Sequence, residues 1–342
     1  MLGLKVPYTR AQQAKEYLRK YDLFDKRYAP MKEPDGIVFP VLREFGPPFD
    51  FDTEIVQRDA PARETLPPLR DELIGILSPS ELARLRTAFD AVGAIAIIDI
   101  PPELEPKERV IGEAILTRNR NLRTVLAKVG GHEGVYRTQR MRYIAGEDTR
   151  ETVVVENGVR LKVNVEEAYY SVRMATERRR ILDQLRPGER VLCLFSGVGP
   201  YPITFAKRGR AATIVGIEIN PKAHELAVEN AALNRVVNVR LLCGDAHDVI
   251  KRLVENDETF DRITMPLPRT ALDFIPDALR VSRPGTVIHH YAFLPEGQFT
   301  SVIPQLEEAF SRSGKRLATW RITRVGQQAP RVWRVCVDAV VG

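Results

Sequence analysis

Four short motifs carry groups suited to binding a nucleoside. Phe195-Ser196-Gly197-Val198-Gly199 follows an apolar stretch, and its two glycines let the backbone turn tightly and approach a ligand closely. Glu218 follows the next apolar stretch, 21 residues after Gly197, placed to accept hydrogen bonds from both ribose hydroxyls. Asp245 follows the third, placed to receive an adenine amino group, and the rigid Met265-Pro266-Leu267-Pro268 follows the fourth. Together these groups predict a nucleoside cofactor site.

The glycine motif disfavours two common phosphate-binding sites. A dinucleotide fingerprint needs a third glycine at position 202, where this chain has Pro202. A P-loop needs a Gly-Lys-Ser/Thr sequence, which does not follow Gly199. A lone Gly-x-Gly is a weak signal, and an acid such as Glu218 or Asp245 is by itself more often a helix cap. The prediction therefore depends on suitable groups at the ends of successive strands.

A second chemical feature is the strongly basic segment from Lys107 to Arg142. It holds nine basic and three acidic residues. Its excess of positive charge therefore equals the net charge of the whole 342-residue chain, which is +6. Such a cluster is typical of a surface that binds nucleic-acid phosphates, because cations release the condensed counterions. The alternative is an ordinary solvated helix face. The candidate RNA-binding residues are Arg118, Arg120, Arg123, Arg140 and Arg142.

The elements that must position the nucleoside site alternate between apolar stretches and amphipathic segments from Glu177 onward. Continuous apolar stretches are typical of strands covered on both faces, which predicts a doubly wound, mostly parallel α/β sheet. Two further strands near the end of the chain fit an antiparallel edge. Ligands of such sheets bind beyond the carboxyl ends of the strands. The predicted parallel strands are 191–195, 213–219, 239–243, 262–265 and 287–293.

Changes in composition predict three domains and a linker rich in proline and charge. The predicted boundaries are 1–50 for a small N-terminal α/β domain, 51–68 for the linker, 69–168 for a basic α+β middle domain and 169–342 for the sheet domain.

Local signals predict several elements of the first two domains. A helix over 10–21 and a strand over 37–42 belong to the first. In the middle domain, Ser78-Pro79-Ser80-Glu81 predicts a capped helix start, and we expect a long helix over 107–129. Asn157-Gly158 predicts a hairpin turn.

Cysteine and histidine predict neither a disulfide nor a metal site. The three cysteines are far apart and surrounded by aliphatic residues, and no histidine pair has His-x3-His spacing. The aliphatic stretch 91–100 is too short to cross a bilayer, and the N-terminus lacks the apolar core of a secretory signal. We therefore expect a cytoplasmic protein without a metal or a membrane partner. Because no sustained heptads occur, we expect a monomer.

Five longer motifs run through the chain, namely YRTQRMRYIAGE (136–147), EEAYYSVRMATERRRI (166–181), VLCLFSGVGPYPITFAKRG (191–209), VGIEINPKAHELAVENAALN (215–234) and DRITMPLPRTALDF (261–274). In this combination the chain resembles the archaeal and eukaryotic tRNA (guanine-37-N1)-methyltransferases over its whole length. The resemblance implies a class I methyltransferase domain, Rossmann-like in fold, after a basic middle domain and a small N-terminal domain. It implies S-adenosylmethionine as cofactor and tRNA as partner, contacted at its anticodon loop and outer corner.

The resemblance also assigns roles to individual residues. Arg137 matches the arginine that holds guanine O6, and Glu177 matches the general base. Removing the N1 proton makes N1 a nucleophile and moves negative charge onto O6, so these residue types suit the reaction. Because N1 lies on the Watson–Crick edge, the base must leave its stack, and Tyr169 or Tyr170 would offer a stacking face. The residues implied for the cofactor or target pocket are Tyr169, Arg178, Phe195, Gly197, Gly199, Glu218, Asn220, Asp245, Ala246 and Pro266.

Several alternatives stay open. Without the resemblance, Glu177 within Glu-Arg-Arg-Arg is an ordinary surface ion pair. Cys193 stands where the family usually has an acid near the cofactor's amino group, and Pro266-Leu267-Pro268 stands where it usually has Asn-Leu-Pro. The leading interpretation is methylation of guanine 37 at N1. The alternatives are methylation of a wyosine precursor, transfer of the cofactor's aminocarboxypropyl group, and a tRNA-binding protein with a decayed site.

Overall fold

The computed structural model describes residues 1–62 and 67–342 of the chain. The chain forms two compact units, Met1–Glu72 and Leu73–Gly342. Within the described ranges, no helix is both long enough and apolar enough to span a bilayer. The cavities discussed below lie in the second unit.

The first unit is a four-stranded antiparallel sheet with one long helix. The strand order is β2-β3-β1-β4. Helix α1 buries Ala14 and Leu18 in an apolar cluster with Phe39 of β3, at the positions where a helix and a strand are predicted. The elements are β1 (Leu2–Val6), α1 (Ala11–Lys20), β2 (Met31–Glu33), β3 (Gly36–Pro40), β4 (Glu54–Gln57) and α2 (Leu69–Glu72).

The linker predicted over residues 51–68 starts too early. Strand β4 pairs with β1, with Val56 opposite Gly3 and Ile55 opposite Leu4. Val56 is the one buried residue of this strand. A four-residue strand with one buried side chain has too little alternation to stand out from a proline-rich surrounding. Positions 63–66 of the predicted linker lie outside the described residues.

The second unit begins with a mixed four-stranded sheet in the order β5-β6-β7-β8. Strands β6 and β7 are parallel, and the outer pairs are antiparallel. The predicted cap at Ser78 is confirmed, because Ser78 Oγ accepts from Glu81 N–H at 3.3 Å and Ser78 N–H donates to Glu81 Oε2 at 2.7 Å. The elements are α3 (Pro79–Arg84), β5 (Phe89–Val92), β6 (Ile95–Ile98), α4 (Glu108–Arg118), β7 (Thr124–Glu133) and β8 (Thr138–Gly146).

The helix predicted over residues 107–129 is wrong beyond Arg118. Helix α4 ends there, and residues 124–127 form a fully buried part of β7. This strand pairs in parallel with β6, with Ile95 opposite Thr124. A short apolar stretch looks alike in a buried helix and a buried strand, so its periodicity does not separate the two.

The predicted hairpin is confirmed. Strands β9 (Glu151–Glu156) and β10 (Val159–Asn164) are antiparallel. Asn157 and Gly158 between them have φ values of 47° and 81°, the left-handed conformation that a two-residue hairpin turn requires.

A seven-stranded sheet forms the rest of the second unit, with buried apolar clusters on both faces. Its order is β13-β12-β11-β14-β15-β17-β16, with the first five strands parallel and β17 antiparallel to both neighbours. The predicted doubly wound, mostly parallel sheet with an antiparallel edge is thus confirmed. The elements are α5 (Ala175–Leu182), β11 (Arg190–Leu194), α6 (Pro200–Arg208), β12 (Thr213–Glu218), α7 (Pro221–Leu233), β13 (Val239–Cys243), α8 (Ala246–Glu255), β14 (Phe260–Met265), α9 (Ile275–Arg280), β15 (Ser282–Pro295), α10 (Ile303–Arg312), β16 (Leu317–Ala329) and β17 (Val332–Val341).

The hairpin is tied to the seven-stranded sheet. Arg160 N–H donates to Asn234 Oδ1 at 2.9 Å, and Lys162 N–H donates to Asn230 Oδ1 on α7 at 2.7 Å. These bonds attach residues of the predicted middle domain to a helix of the sheet domain. The boundary at residues 168 and 169 stays a prediction.

Candidate functional site

The loop after β11 leaves the sheet in an unusual backbone conformation. Phe195, Gly197 and Gly199 have positive φ values of 55°, 53° and 88°. A non-glycine residue such as Phe195 pays a conformational cost there, which is common at functional sites. Gly199 precedes α6, and a Cβ on it would lie 2.6 Å from Ile203 Cδ1. Gly199 therefore serves helix packing, and it lines none of the three cavities described below, unlike the cofactor contact predicted for it.

Glu218 at the end of β12 holds this loop in place. Its Oε2 accepts a hydrogen bond from Gly197 N–H at 2.6 Å, and its Oε1 accepts one from Asn220 N–H at 2.9 Å. Burial raises the pKa of the Glu218 carboxyl, although these backbone donors oppose the shift. Each carboxylate oxygen has more than one acceptor site, so the group can also accept from a ligand hydroxyl.

The strand-end cavity lies beyond the carboxyl ends of the parallel strands and has a volume of about 560 Å³. That volume is within the usual range of small-molecule sites, roughly 300–1,000 Å³. The cavity gathers most of the predicted site residues, which come from distant parts of the sequence. They are Arg137, Tyr169, Phe195, Gly197, Glu218, Asn220, Asp245, Ala246 and Pro266.

Asn220 and Asp245 have capping roles as well. Asp245 Oδ1 accepts from His247 N–H at 2.8 Å at the start of α8. Asn220 Oδ1 accepts from Lys222 N–H at 3.0 Å, and its Nδ2 donates to the Glu167 carbonyl at 2.6 Å. Asn220 is buried, and its side-chain hydrogen bonds connect the start of α7 to the segment before Tyr169. Both residues line the cavity with part of their hydrogen-bonding capacity already used.

Two smaller cavities adjoin the first. The smaller one, of about 70 Å³, shares lining residues with both of the others and is called the junction cavity here. The other, of about 220 Å³, is bordered by β5–β8 and is called the sheet-side cleft. Arg137 and Tyr169 line all three cavities. The guanidinium carbon of Arg137 lies 4.9 Å from the centroid of the Tyr169 ring. Burial lowers the pKa of Arg137, and the positive charges of Arg269 and Arg334 act in the same direction.

Glu177 on α5 is buried, with 3% of its side chain exposed. Its Oε1 accepts from Tyr291 Oη–H at 2.7 Å and from Arg180 Nη2 at 2.8 Å, and its Oε2 accepts from Arg180 Nε at 2.7 Å. Glu177 thus forms an ion pair, but a buried one rather than the surface pair considered as the alternative. Glu177 itself lines none of the three cavities, whereas Tyr291 lines the junction cavity.

Arg180 also belongs to a polar network with Asp338 and His289. Arg180 donates to both oxygens of Asp338 at 2.6 and 3.0 Å, and His289 Nδ1 lies 2.6 Å from Asp338 Oδ1. Burial opposes ionisation of Asp338, but hydrogen bonds from His289 and Arg180 hold its pKa well below its usual range. His289 and Asp338 also lie close to Cys336, but the arginine and histidine donors already occupy the carboxylate. The network orients Arg180, and through it Glu177.

Arg178 lines the junction cavity, but its guanidinium is already engaged. Its Nε and Nη2 donate to the two oxygens of Glu156, each at 2.5 Å, and Nη2 also donates to the Ser171 carbonyl at 3.0 Å. Tyr170 Oη–H donates to the same carboxylate at 2.6 Å. Arg178 therefore holds the Tyr170–Ser171 segment in place, rather than offering a free charge to a cofactor.

The two departures from the family pattern have different structural consequences. Cys193 is fully buried in the middle of β11 and lines none of the three cavities. Pro266 lines both the strand-end and the junction cavity. The cysteine is therefore part of the core, and the proline shapes the wall of the site.

The predicted RNA-binding arginines have different surroundings. Arg142 pairs with Glu105 at 3.1 Å and Glu108 at 2.6 Å, and Arg123 Nε lies 3.6 Å from Glu147. Arg118 is half-buried in the last turn of α4, whereas Arg120 and Arg140 are exposed. The clustered charge is thus partly neutralised within the sheet of β5–β8.

Two family models match adjacent parts of the chain. The TRM5/TYW2 methyltransferase domain matches residues 152–317, and the TYW2 N-terminal domain matches residues 69–149. Trm5b, the tRNA (guanine(37)-N(1))-methyltransferase of Pyrococcus abyssi, is 34% identical over 342 residues, which cover 98% of each chain. The chain belongs to the TRM5/TYW2 methyltransferase family. Its fold agrees with the crystal structure of P. abyssi Trm5b at a TM-score of 0.73, with 33% identity over 100% of this chain and 99% of that one.

Two further structures of TRM5/TYW2 proteins carry ligands. A complex of aTrm5 with tRNALeu matches with a TM-score of 0.68 and 25% identity, covering 100% of both chains. TYW2 of Pyrococcus horikoshii in complex with MeSAdo matches with a TM-score of 0.65 and 26% identity, covering 80% of this chain and 97% of that one. The shared fold thus occurs in proteins crystallised with tRNALeu and with MeSAdo.

Sequence reasoning missed several residues of this TRM5/TYW2 site. Tyr291 on β15 and Arg334 on β17 both line the junction cavity, and Arg269 lines the strand-end cavity. The available signal was a polar side chain inside an otherwise apolar strand, as at Tyr291 and Arg334. That signal marks these positions as unusual, but only the sheet order shows which site they reach.

Proposed function

We propose that the protein transfers a methyl group from S-adenosylmethionine to N1 of guanine 37 in tRNA. The observation that supports this most is the position of Arg137 and Tyr169, which line the strand-end cavity and both adjoining cavities. A donor in the strand-end cavity and a base in the junction cavity would meet beside the Arg137 guanidinium and the Tyr169 ring. In-line alignment of this kind is the main requirement of methyl transfer.

The residues of the strand-end cavity fit S-adenosylmethionine. Glu218 would accept hydrogen bonds from the ribose hydroxyls, and Asp245 with Ala246 would lie at the adenine. Ile217 and Ile219 provide apolar surface for the purine. When bound, the cofactor supplies an activated methyl group on a positively charged sulfur.

The junction supplies the chemistry that the guanine requires. N1 carries a proton and becomes a good nucleophile as that proton leaves. The N1 proton would pass to Tyr291 Oη, which lines the junction cavity, as Tyr291 donates its own hydroxyl proton to Glu177 Oε1 at 2.7 Å. Glu177 is then the carboxylate that holds the proton. Arg137 stabilises the negative charge that develops on O6. Tyr169 offers a stacking face for the base outside its helix.

The anticodon loop would lie against the basic surface of the β5–β8 sheet, and the outer corner of tRNA would contact the N-terminal unit. On the β5–β8 surface, exposed arginines such as Arg120 and Arg140 supply phosphate contacts. The same site architecture would accept a wyosine precursor, because that substrate is a tricyclic derivative of the same guanine.

A second candidate is transfer of the aminocarboxypropyl group of the same cofactor. The match of residues 69–149 to the TYW2 N-terminal domain favours it. The presence of Arg137 at the junction, with Glu177 behind it through Tyr291, favours methyl transfer, because only an N1 reaction needs a base and an O6 contact.

The test is incubation of unmodified tRNA with S-adenosylmethionine, followed by nucleoside mass analysis. We expect N1-methylguanosine at position 37, and none in a transcript with adenosine at that position. An added aminocarboxypropyl mass would assign the protein to the second candidate. A wyosine-precursor tRNA in the same assay tests the additional substrate.

Affinity for S-adenosylmethionine is expected to fall on acidification. A carboxyl with a raised pKa stays ionised, and able to accept two ribose hydroxyls, only above that pKa. Protonation of Glu218 should therefore weaken binding at a pH above the usual range of a glutamic acid. Calorimetry from pH 8 down to about pH 4, the usual range of a glutamic acid, checks this, with Glu218→Gln as a variant that binds more weakly and lacks this pH dependence. A wild-type Kd that stays constant over this range would contradict the assignment of Glu218.

Arg120→Ala and Arg140→Ala are each expected to weaken tRNA binding and to reduce the salt slope of log K by roughly 0.7–0.9, the value for one lost phosphate contact. Among the described residues, neither arginine has a carboxylate oxygen within 4.0 Å. Arg142→Ala is the matched control, because Glu105 and Glu108 already neutralise Arg142. Filter binding over a salt series measures the slopes. Slopes equal to that of the wild type would remove Arg120 and Arg140 from the interface.

A further inference from the structure

Three arginines around the site have no acidic partner among the residues that the structure describes. In the described part of the second unit, no carboxylate oxygen lies within 4.0 Å of the guanidinium nitrogens of Arg137, Arg269 or Arg334. The nearby Arg178, by contrast, is held by Glu156. Like charges brought together in a partly buried site without counterions are unfavourable. A site built this way favours a ligand rich in hydrogen-bond acceptors.

Arg334 has hydrogen-bonding capacity that the described residues do not use. It lies on β17 and lines both the junction cavity and the sheet-side cleft. Its Nη2 donates to Gln328 Oε1 at 3.2 Å, and its guanidinium carbon lies 5.3 Å from the Phe293 ring centroid. Its Nε is buried and has no hydrogen-bond partner within residues 1–62 and 67–342. A buried donor without an acceptor is costly, so a bound acceptor would stabilise the arrangement.

Among the described residues, the rest of the junction wall offers hydroxyl groups but no further free cation. Pro266 and Pro268 carry no polar side-chain atom, and the guanidinium of Arg178 is held by a carboxylate. Within the described residues, the guanidinium groups of this cavity that are free of ion pairs belong to Arg137 and Arg334. These two arginines are therefore the cationic donors of the described residues that a base at the junction would meet, beside hydroxyl groups such as those of Ser171 and Ser196.

We propose that Arg334 reads the Hoogsteen edge of the target guanine, donating hydrogen bonds to O6 and N7. The inference rests on the proposed function and adds a second contact to that of Arg137. An arginine fork matches the O6 and N7 acceptors of guanine, whereas adenine presents an amino group in place of O6. Arg334 would thus favour guanine over adenine at position 37.

The arrangement of the cavities is consistent with this contact. In guanine, O6 lies between N1 and N7. When N1 faces the strand-end cavity and O6 faces Arg137, N7 points away from the donor. Arg334 lines the junction cavity and the sheet-side cleft but not the strand-end cavity, so it lies away from the donor. A backbone phosphate is the competing ligand for the same guanidinium, and the experiment below separates the two.

The experiment compares tRNA carrying guanosine or 7-deazaguanosine at position 37, with single-turnover efficiency as the readout. For the wild type, loss of N7 is expected to cost about tenfold. Arg334→Gln is expected to lose about 10- to 100-fold on ordinary tRNA and to show no further loss on the 7-deaza substrate. Arg334→Lys keeps the charge and can still donate to O6 and N7 without the planar fork, so it should retain part of the rate and part of the sensitivity to N7.

The controls separate recognition from folding and from the proposed function itself. Arg321→Gln changes an exposed arginine on β16 that lines none of the three cavities, and it should keep the sensitivity of the wild type to N7. Thermal melting and cofactor calorimetry show whether each variant is folded. A wild type indifferent to N7, or an Arg334→Gln variant as sensitive as the wild type, would overturn the inference. If Arg334→Gln lost the same factor of efficiency on both tRNAs and its binding had a smaller salt slope, Arg334 would be assigned to a phosphate contact. A wild type that makes no N1-methylguanosine would refute the proposed function.

Discussion

Glu177→Gln is expected to lower the single-turnover methylation rate about 10²- to 10⁴-fold, the usual contribution of a general base. Glutamine keeps the shape of the side chain and can still accept hydrogen bonds from Tyr291 and Arg180, but its amide does not take up the N1 proton. Because Glu177 lines none of the three cavities, the Kd for S-adenosylmethionine should stay within about twofold. Rapid-quench transfer of a labelled methyl group gives the rate, and calorimetry gives the Kd.

The matched control for this substitution is Glu258→Gln. Glu258 is a carboxylate held by two arginines, Arg190 at 2.9 Å and Arg240 at 2.6 Å, and it lines none of the three cavities. Its replacement should affect stability and leave the methylation rate unchanged. If Glu177→Gln lowered cofactor affinity and rate equally, Glu177 would have a structural role instead.

Arg137→Gln is expected to slow methyl transfer about 10²- to 10³-fold at saturating tRNA, the usual cost of losing a donor to a developing oxyanion. Arg137 is partly buried against Tyr169, so its charge acts in a site with less screening than the surface. Arg137→Lys keeps a positive charge without the planar fork and should recover only part of the rate. The readout is again the single-turnover rate, measured with tRNA well above its Kd.

Arg140→Gln is the control for Arg137, because Arg140 is an exposed arginine of the neighbouring strand β8. It should weaken tRNA binding and leave the rate at saturation unchanged. The opposite pattern, a saturating rate kept by Arg137→Gln and lost by Arg140→Gln, would remove Arg137 from the reaction.

Much of the fold follows from local patterns. Continuous apolar stretches predicted the parallel strands, and Asn157-Gly158 predicted a hairpin, because each depends on interactions close in sequence. The strand ends then had to meet at one edge, which brings Glu218 and Asp245 to one cavity. The helix predicted beyond Arg118 failed because the buried strand β7 is defined by its pairing with β6, which no local pattern encodes.

The finer parts of the site depend on contacts between distant residues. Gly199 was predicted as a cofactor contact from its motif, but its close neighbour is Ile203 of the following helix. Arg178 lines the junction cavity, but its guanidinium is held by Glu156, which lies on a separate hairpin. Tyr291 reaches Glu177 only because β15 lies inside the sheet near α5. Such pairings are set by tertiary packing rather than by residue type and spacing.

A crystal structure of the protein soaked with S-adenosylmethionine tests the central claim most directly. The account predicts the donor in the strand-end cavity, with its ribose hydroxyls on Glu218, its adenine at Asp245 and Ala246, and its sulfonium facing Tyr169 and Arg137. Glu177 should remain hydrogen-bonded to Tyr291 behind the junction. A donor bound away from Gly197, or a Glu177 side chain turned into bulk solvent, would contradict the account.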